Sequence, residues 1–340
     1  MNFASDNAYG ALPEVWAAVQ AADRGAALAY GNDAITKSLT SRFADLFERD
    51  VAVFPVLTGT AANALALACV TPPYGAVLCH RDSHIMTSEC GAPEFFSGAK
   101  LMGLEGAESK LAPKAIEEAL ASLDGSVHSV QPSAVSLSQA SELGTVYSRP
   151  ELSEIGALAH DHGLKLHMDG ARFANAMAHL GCSPAEATWK CGVDVLSFGL
   201  TKNGAAAAEA VIFFDAALAQ DFAYRRKRTG HLFSKMRFVS AQFEALLADG
   251  LWLRLAAQAN AMAARLAEGL AQIPDARLLH PVEANELFVL MPEPRIAVLE
   301  RAGFLFYRWE CAEGPCIRLV TAFDTEPAHI DGLLAALSAL

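Results

Sequence analysis

Short apolar, strand-like runs alternate with helical stretches from Val51 to Phe214, and that alternation leaves few folds open to the chain. Residues 51–57 read as a buried strand, Thr58-Gly59-Thr60 punctuates it, and 61–70 form an alanine- and leucine-rich helix. Comparable runs follow at 75–79, 134–137, 164–169, 193–200 and 210–214, with helical stretches such as 150–162 between them. Strands separated by helices join as parallel neighbours, because a helical crossover returns the chain to the same end of the sheet. From about Phe238 the texture changes: an alanine- and leucine-rich stretch to Ala271 precedes apolar runs at 287–290 and 316–320 and a C-terminal helix. The expected fold class is α/β, with a mainly parallel central sheet and flanking helices over 1–240, N-terminal segment included. A smaller α+β domain is expected over 241–340.

Composition agrees with a two-lobed globular chain, since 340 residues at 53% hydrophobic content exceed the usual length of one domain and can bury a large core. A formal charge of -12 opposes a polyanionic partner. The basic run Arg225-Arg226-Lys227-Arg228 is short, and reads as a solvated helix face or a local phosphate or subunit contact, not as a nucleic-acid surface. The N-terminal residues lack the charged start and apolar stretch of a signal peptide, and no run approaches membrane-spanning length. A cytoplasmic chain with no membrane attachment is the expectation. Seven cysteines with no CxxC pair read as reduced thiols, mostly buried as small hydrophobes.

Two reactive side chains fall at one edge of such a sheet. Asp169 ends one strand-like run and Lys202 follows another thirty-three residues later (202 minus 169), about what one helical crossover spans. Open α/β sheets bind ligands at that carboxyl edge. An amine beside a carboxylate is the pair a pyridoxal phosphate enzyme requires, because the carboxylate keeps the pyridine nitrogen protonated and the ring electron-accepting. Singly, a strand-ending lysine is common and Asp169 is as readily a helix cap. Arg172 lies three residues beyond Asp169 and reaches the same place, either to hold a carboxylate or the cofactor's phenolic oxygen or to make a surface ion pair. Thr58-Gly59-Thr60 supplies hydroxyls and N–H groups at a helix start, a phosphate site in company and an ordinary N-cap alone.

His84 follows another strand end, where an imidazole can stack on a flat ring and move a proton, the alternative being a buried structural histidine. Glu89 and His128 rank below it as acid–base candidates. His160, His162, His167 and Asp169 have the look of a metal site, but residues two apart on a helix point to nearly opposite sides, so no metal is expected.

The segments that carry this chemistry resemble one family. They are Ala4-Ser5-Asp6-Asn7, Tyr30-Gly31-Asn32-Asp33, Thr58-Gly59-Thr60-Ala61-Ala62-Asn63 and His84 with Glu89-Cys90-Gly91-Ala92-Pro93-Glu94. Further on come His167-Met168-Asp169-Gly170-Ala171-Arg172, Gly199-Leu200-Thr201-Lys202-Asn203-Gly204 and Arg318-Leu319-Val320-Thr321. In this order, nearly end to end, they resemble the low-specificity L-threonine aldolases, pyridoxal phosphate enzymes of the aspartate aminotransferase fold.

The resemblance implies a covalent link from Lys202 to the cofactor aldehyde, Asp169 on the pyridine nitrogen, Gly59 and Thr60 around the phosphate, and His84 against the ring. It implies that Ser5, Arg172 and Arg318 bind the substrate carboxylate, which suits the guanidinium fork. Tyr30 and Lys227 would come from a neighbouring subunit, in a homotetramer built as a dimer of dimers. Two departures stand out: Thr201 where many relatives carry serine, and Ser138-Gln139-Ala140-Ser141 in place of a Glu-Asn-Thr-His stretch.

The implied reaction is cleavage of threonine, allo-threonine or related β-hydroxy-α-amino acids to glycine and an aldehyde. The hydroxyl proton would go to His84, or to a water held by His84 or His128 and Glu89. β-Elimination or transamination on the same scaffold is the alternative, because a fold and a cofactor do not fix which bond breaks. A binding protein that has lost activity is disfavoured by the joint presence of Lys202, Asp169, Arg172 and Arg318.

Overall fold

The structure, a computed structural model, describes residues 1–338. Seven strands form the larger sheet: β1 (Ala52–Val56), β2 (Gly75–His80), β3 (Lys100–Leu104), β4 (Gln131–Ser138), β5 (Lys165–Gly170), β6 (Val195–Gly199) and β7 (Glu209–Phe213). Their order is β1-β7-β6-β5-β4-β2-β3. Strands β3, β2, β4, β5 and β6 run parallel, and β5, β6 and β7 are buried along almost their whole length, as strands covered by helices on both faces must be. β7 departs from the sequence reading by running antiparallel to both β6 and β1. Its cause is length: only residues 200–208 join β6 to β7, too few for a helical crossover.

Helix Gly59–Val70 begins where the Thr58 hydroxyl accepts the Ala61 N–H, and it is buried nearly all round. Its alanines let it lie close beneath β6 and β7, as a helix apolar on every side must be enclosed. An aromatic cluster built on Phe43, Phe173, Phe198, Phe243 and Trp252 fills the opposite core, with the Phe43 and Phe198 rings 5.3 Å apart.

A second sheet has the order β10 (Tyr307–Trp309), β11 (Cys316–Val320), β9 (Glu286–Leu290), β8 (Arg277–Leu278), antiparallel throughout. The first residues of the chain, grouped with the larger sheet from sequence, pack on this one: Phe3 donates to the Leu305 carbonyl, accepts from Val320 N–H and joins the second core, while Val15 lies in the first. Helix Leu251–Leu270 serves both lobes, with Trp252 in the first core and Leu266 in the second. All seven cysteines are free. No helix among the described residues is long and apolar enough to cross a membrane.

Candidate active site

The carboxyl edge of the parallel strands opens into a cavity of about 310 Å³ whose wall includes Lys202, Asp169, His84 and the first turn of helix Gly59–Val70. It adjoins a larger cavity of about 920 Å³ that reaches the second sheet, and Asn7, His84, Glu142, Arg172 and Lys202 border both. Parallel registration of β5 on β6, Asp169 beside Ser197, sets the carboxylate next to the turn that carries Lys202. Gly170 permits that approach, because a Cβ there would lie 2.7 Å from the Ser197 carbonyl oxygen.

A hydrogen-bonded chain runs along the floor. Asn63 donates from Nδ2 to Asp169 Oδ2 and Glu89 Oε1, both at 2.8 Å, and Glu89 Oε1 holds His84 Nδ1 at 2.8 Å. Asp169 Oδ1 accepts the Ala171 N–H at 2.9 Å. The hydrogen bond to Glu89 raises the His84 pKa above the ordinary imidazole value. Burial, reinforced by the Arg172 charge, lowers that of Lys202. His84, Glu89 and Asp169 bring three ligand-type atoms within 4.8 Å of one another, but the Asn63 amide already bridges the two carboxylates.

Toward the second sheet lies an ion cluster that joins distant parts of the chain. Arg172 pairs with Asp6 at 2.8 Å and Glu286 at 2.9 Å, and Arg318 pairs with Glu286 at 2.5 Å. Asn285 donates to Asp6 as well, at 3.0 Å. Burial opposes ionisation of Asp6, yet the Arg172 charge prevails and lowers its pKa to about 2. For Arg172, burial is likewise overcome by Asp6 and Glu286, and its pKa rises. Ser5 and Arg318 line the larger cavity.

Two of the candidate residues lie outside both cavities of their own subunit, His128 against expectation and Tyr30 as a residue lent to a neighbour would. His128 sits exposed in the turn before β4, at the amino edge of the sheet, whereas Ser138 at the other end of that strand lines the cavity, so this histidine cannot serve its own subunit's site. Tyr30 is an exposed left-handed residue outside both cavities, with the Lys227 ammonium 4.5 Å from its ring. Of the histidines weighed as a metal cluster, His160 pairs with Asp194, and His167 spans Ser136 and Ser197 in the core, where burial lowers its pKa to about 4.

Several residues of the wall and of the ion cluster were not singled out from sequence. Asn63 and Asp6 lay inside the recognised segments without a role, and Glu286 was only the residue before an apolar run. Glu142 and Glu209 are carboxyls whose pKa burial raises to about 7. Glu209 Oε1 accepts the Thr201 N–H at 3.3 Å, and strand pairing sets Glu209 opposite both Gly199 and Val56.

A mostly parallel sheet with a buried amine, a fixed carboxylate and a helix N-terminus around one cavity defines an α/β enzyme of amine chemistry. The chain belongs to the beta-eliminating lyase family, whose model matches residues 2–294. A low specificity L-threonine aldolase of Pseudomonas sp. (strain NCIMB 10558) is 48% identical over 99% of this chain and 97% of its own length. A protein of the same description from Pseudomonas aeruginosa is 49% identical over 95% of this chain and 93% of its own. The solved structure of Leishmania major threonine aldolase superposes with a TM-score of 0.94 at 32% identity, covering 99% of this chain and 98% of that one.

Proposed function

We propose that this chain cleaves L-threonine and L-allo-threonine, with related β-hydroxy-α-amino acids, to glycine and an aldehyde, using pyridoxal 5′-phosphate. The observation that carries the reading is the convergence of the Lys202 amine, the Asp169 carboxylate and the start of helix Gly59–Val70 on one cavity. The donor set suits that cofactor. Gly59 and Thr60 stand in a first helical turn, whose N–H groups have no intrahelical acceptors and favour a dianionic phosphate. Buried Asn63 Oδ1 and Glu89 Oε2 have no hydrogen-bond partner in the protein, so the wall has polar capacity left for a bound group.

When bound, the cofactor supplies an electron sink for the pair released as a bond at the substrate Cα breaks. Lys202 contributes the nucleophilic amine, and its lowered pKa enlarges the neutral fraction that can react with an aldehyde. Asp169, oriented by Asn63 and Ala171, offers a fixed anion to a protonated ring nitrogen. Arg172 and Arg318, with Ser5 beside them, hold and orient the substrate carboxylate at the larger cavity. His84 stands at the mouth with Nδ1 occupied by Glu89, its imidazole face left for the cofactor ring and Nε2 for a proton.

The same reading makes the site shared between subunits of a homotetramer. The placement of Tyr30 with Lys227 outside their own subunit's cavities supports this, because the pair is then available to a neighbour's site. Seven free thiols fit a cytoplasmic location.

Incubation of the cofactor-loaded protein with L-threonine tests the assignment. Acetaldehyde and glycine are expected; 2-oxobutyrate with ammonia would replace it by β-elimination, and accumulation of the pyridoxamine form would replace it by transamination.

A further inference from the structure

Glu142 stands at the seam of the two cavities, in the turn after β4, and no step above uses it. Its Oε1 accepts from Ser138 Oγ at 2.5 Å and from the His84 backbone N–H at 2.9 Å, which anchors the carboxyl group through that one oxygen. Its Oε2 is shut off from solvent and has no hydrogen-bond partner in the protein. A buried acceptor in that state gains from any hydroxyl brought to it, and because Glu142 lines both cavities a turn of its side chain on substrate entry is what presents Oε2. His84, the neighbouring candidate, is bound through Nδ1 to Glu89, which leaves it Nε2 alone for a proton.

We propose that Glu142 is the general base of the cleavage step, its Oε2 taking the proton of the substrate's β-hydroxyl. The inference rests on the aldol-cleavage reading above. In the step the O–H bond breaks toward Oε2, its electron pair becomes the second C–O bond of the aldehyde, and the Cα–Cβ pair stays with the Cα fragment. A proton from water returns to Cα to complete glycine, and Glu142 gives its proton back to water, so no oxidant or reductant is needed.

Burial raises the Glu142 carboxyl to about 7, Asp169 adding to the rise and the Ser138 and His84 donors opposing it. Both protonation states are then accessible near neutrality, as general-base work requires. The charges that face it at the seam are His84 with its Glu89, Asp169 and Arg172 from beyond β5, and Lys202 from beyond β6. Arg318, paired with Glu286, faces it across the larger cavity. Behind it, burial keeps Cys79 and Tyr147 in their neutral forms.

The test is Glu142→Gln in the cofactor-loaded enzyme, with kcat and kcat/KM for L-threonine followed between about pH 5.5 and 9. A fall in kcat of about 100-fold or more is expected, with cofactor content unchanged and the wild-type rise of kcat/KM near pH 7 abolished. Glu142→Asp should recover part of the rate together with the rise. Independently of turnover, the wild-type minus Glu142→Gln infrared difference spectrum should show a protonated-carboxyl band that fades as pH passes about 7. Unchanged kcat overturns the proposal, and so does a lowered kcat with the pH rise intact, which marks a positioning role. Should the glutamine variant not load cofactor, Glu142→Ala takes its place, and wild-type kcat in that variant overturns the proposal. Wild-type enzyme that makes no acetaldehyde and glycine defeats the functional reading and this inference together; wild-type cleavage matched by Glu142→Gln defeats the inference alone.

Discussion

Lys202→Ala removes the amine proposed to hold the cofactor, and is expected to abolish turnover along with the absorbance of the covalent link; full turnover in that variant would end the functional assignment. The pairing of His84 with Glu89 gives a second expectation. Glu89→Gln takes away the carboxylate that raises the imidazole, so His84 should titrate at lower pH by NMR than it does in the wild type. Asp6 gives a third, read in stability. Its folded-state value of about 2 lies below the ordinary 3.8, so its contribution is present above about pH 4 and is lost as pH falls toward 2. Asp6→Asn should therefore flatten stability between pH 4 and 2, removing about 2 kcal/mol of pH-dependent stability in denaturant titrations. Lys202, Asp169 and His84 were legible because each follows an apolar strand, and position at a strand end is a local property. Glu142 and Glu286 were not, since their importance comes from burial and from partners such as Arg172, 114 positions from Glu286 (286 minus 172).

Close approach of β5 to β6 is what seats the carboxylate beside the amine, and glycine at 170 is its condition. Gly170→Ala forces a methyl against the Ser197 carbonyl and the Leu196 side chain, and should cost about 1–3 kcal/mol with weaker cofactor retention, measured by thermal unfolding and by dialysis. The alternation of apolar runs revealed most strands of the larger sheet, because buried strands are nearly continuous hydrophobic stretches. Strand β10 went unread for the opposite reason: Tyr307, Arg308 and Trp309 are all exposed and present no inward periodicity. β3 has the same character, with one buried position in five. The direction of β7 depends on the length of a connection, which hydrophobic patterning does not encode.

Two copies complete what one copy leaves open, if the shared-site reading holds. Mixing Lys202→Ala subunits with Lys227→Ala subunits should then restore activity that neither variant shows alone, because one site in each mixed pair regains both lysines; mixtures as inactive as their parents would reject sharing. The two-lobed organisation was legible as a change of texture near Phe238, but the attachment of residues 1–6 to the second lobe was not. It is made by backbone pairing to Leu305 and Val320, at the far end of the sequence. The ion cluster of Asp6, Arg172, Glu286 and Arg318 ties those same distant pieces together, two positive charges against two negative. An electroneutral quartet does not trap stray anions. Chloride or sulfate at ordinary concentrations should scarcely inhibit, while an amino acid, whose ammonium end would on the proposed reading engage the cofactor as its carboxylate meets the guanidinium groups, would bring its own counterbalance to the pocket.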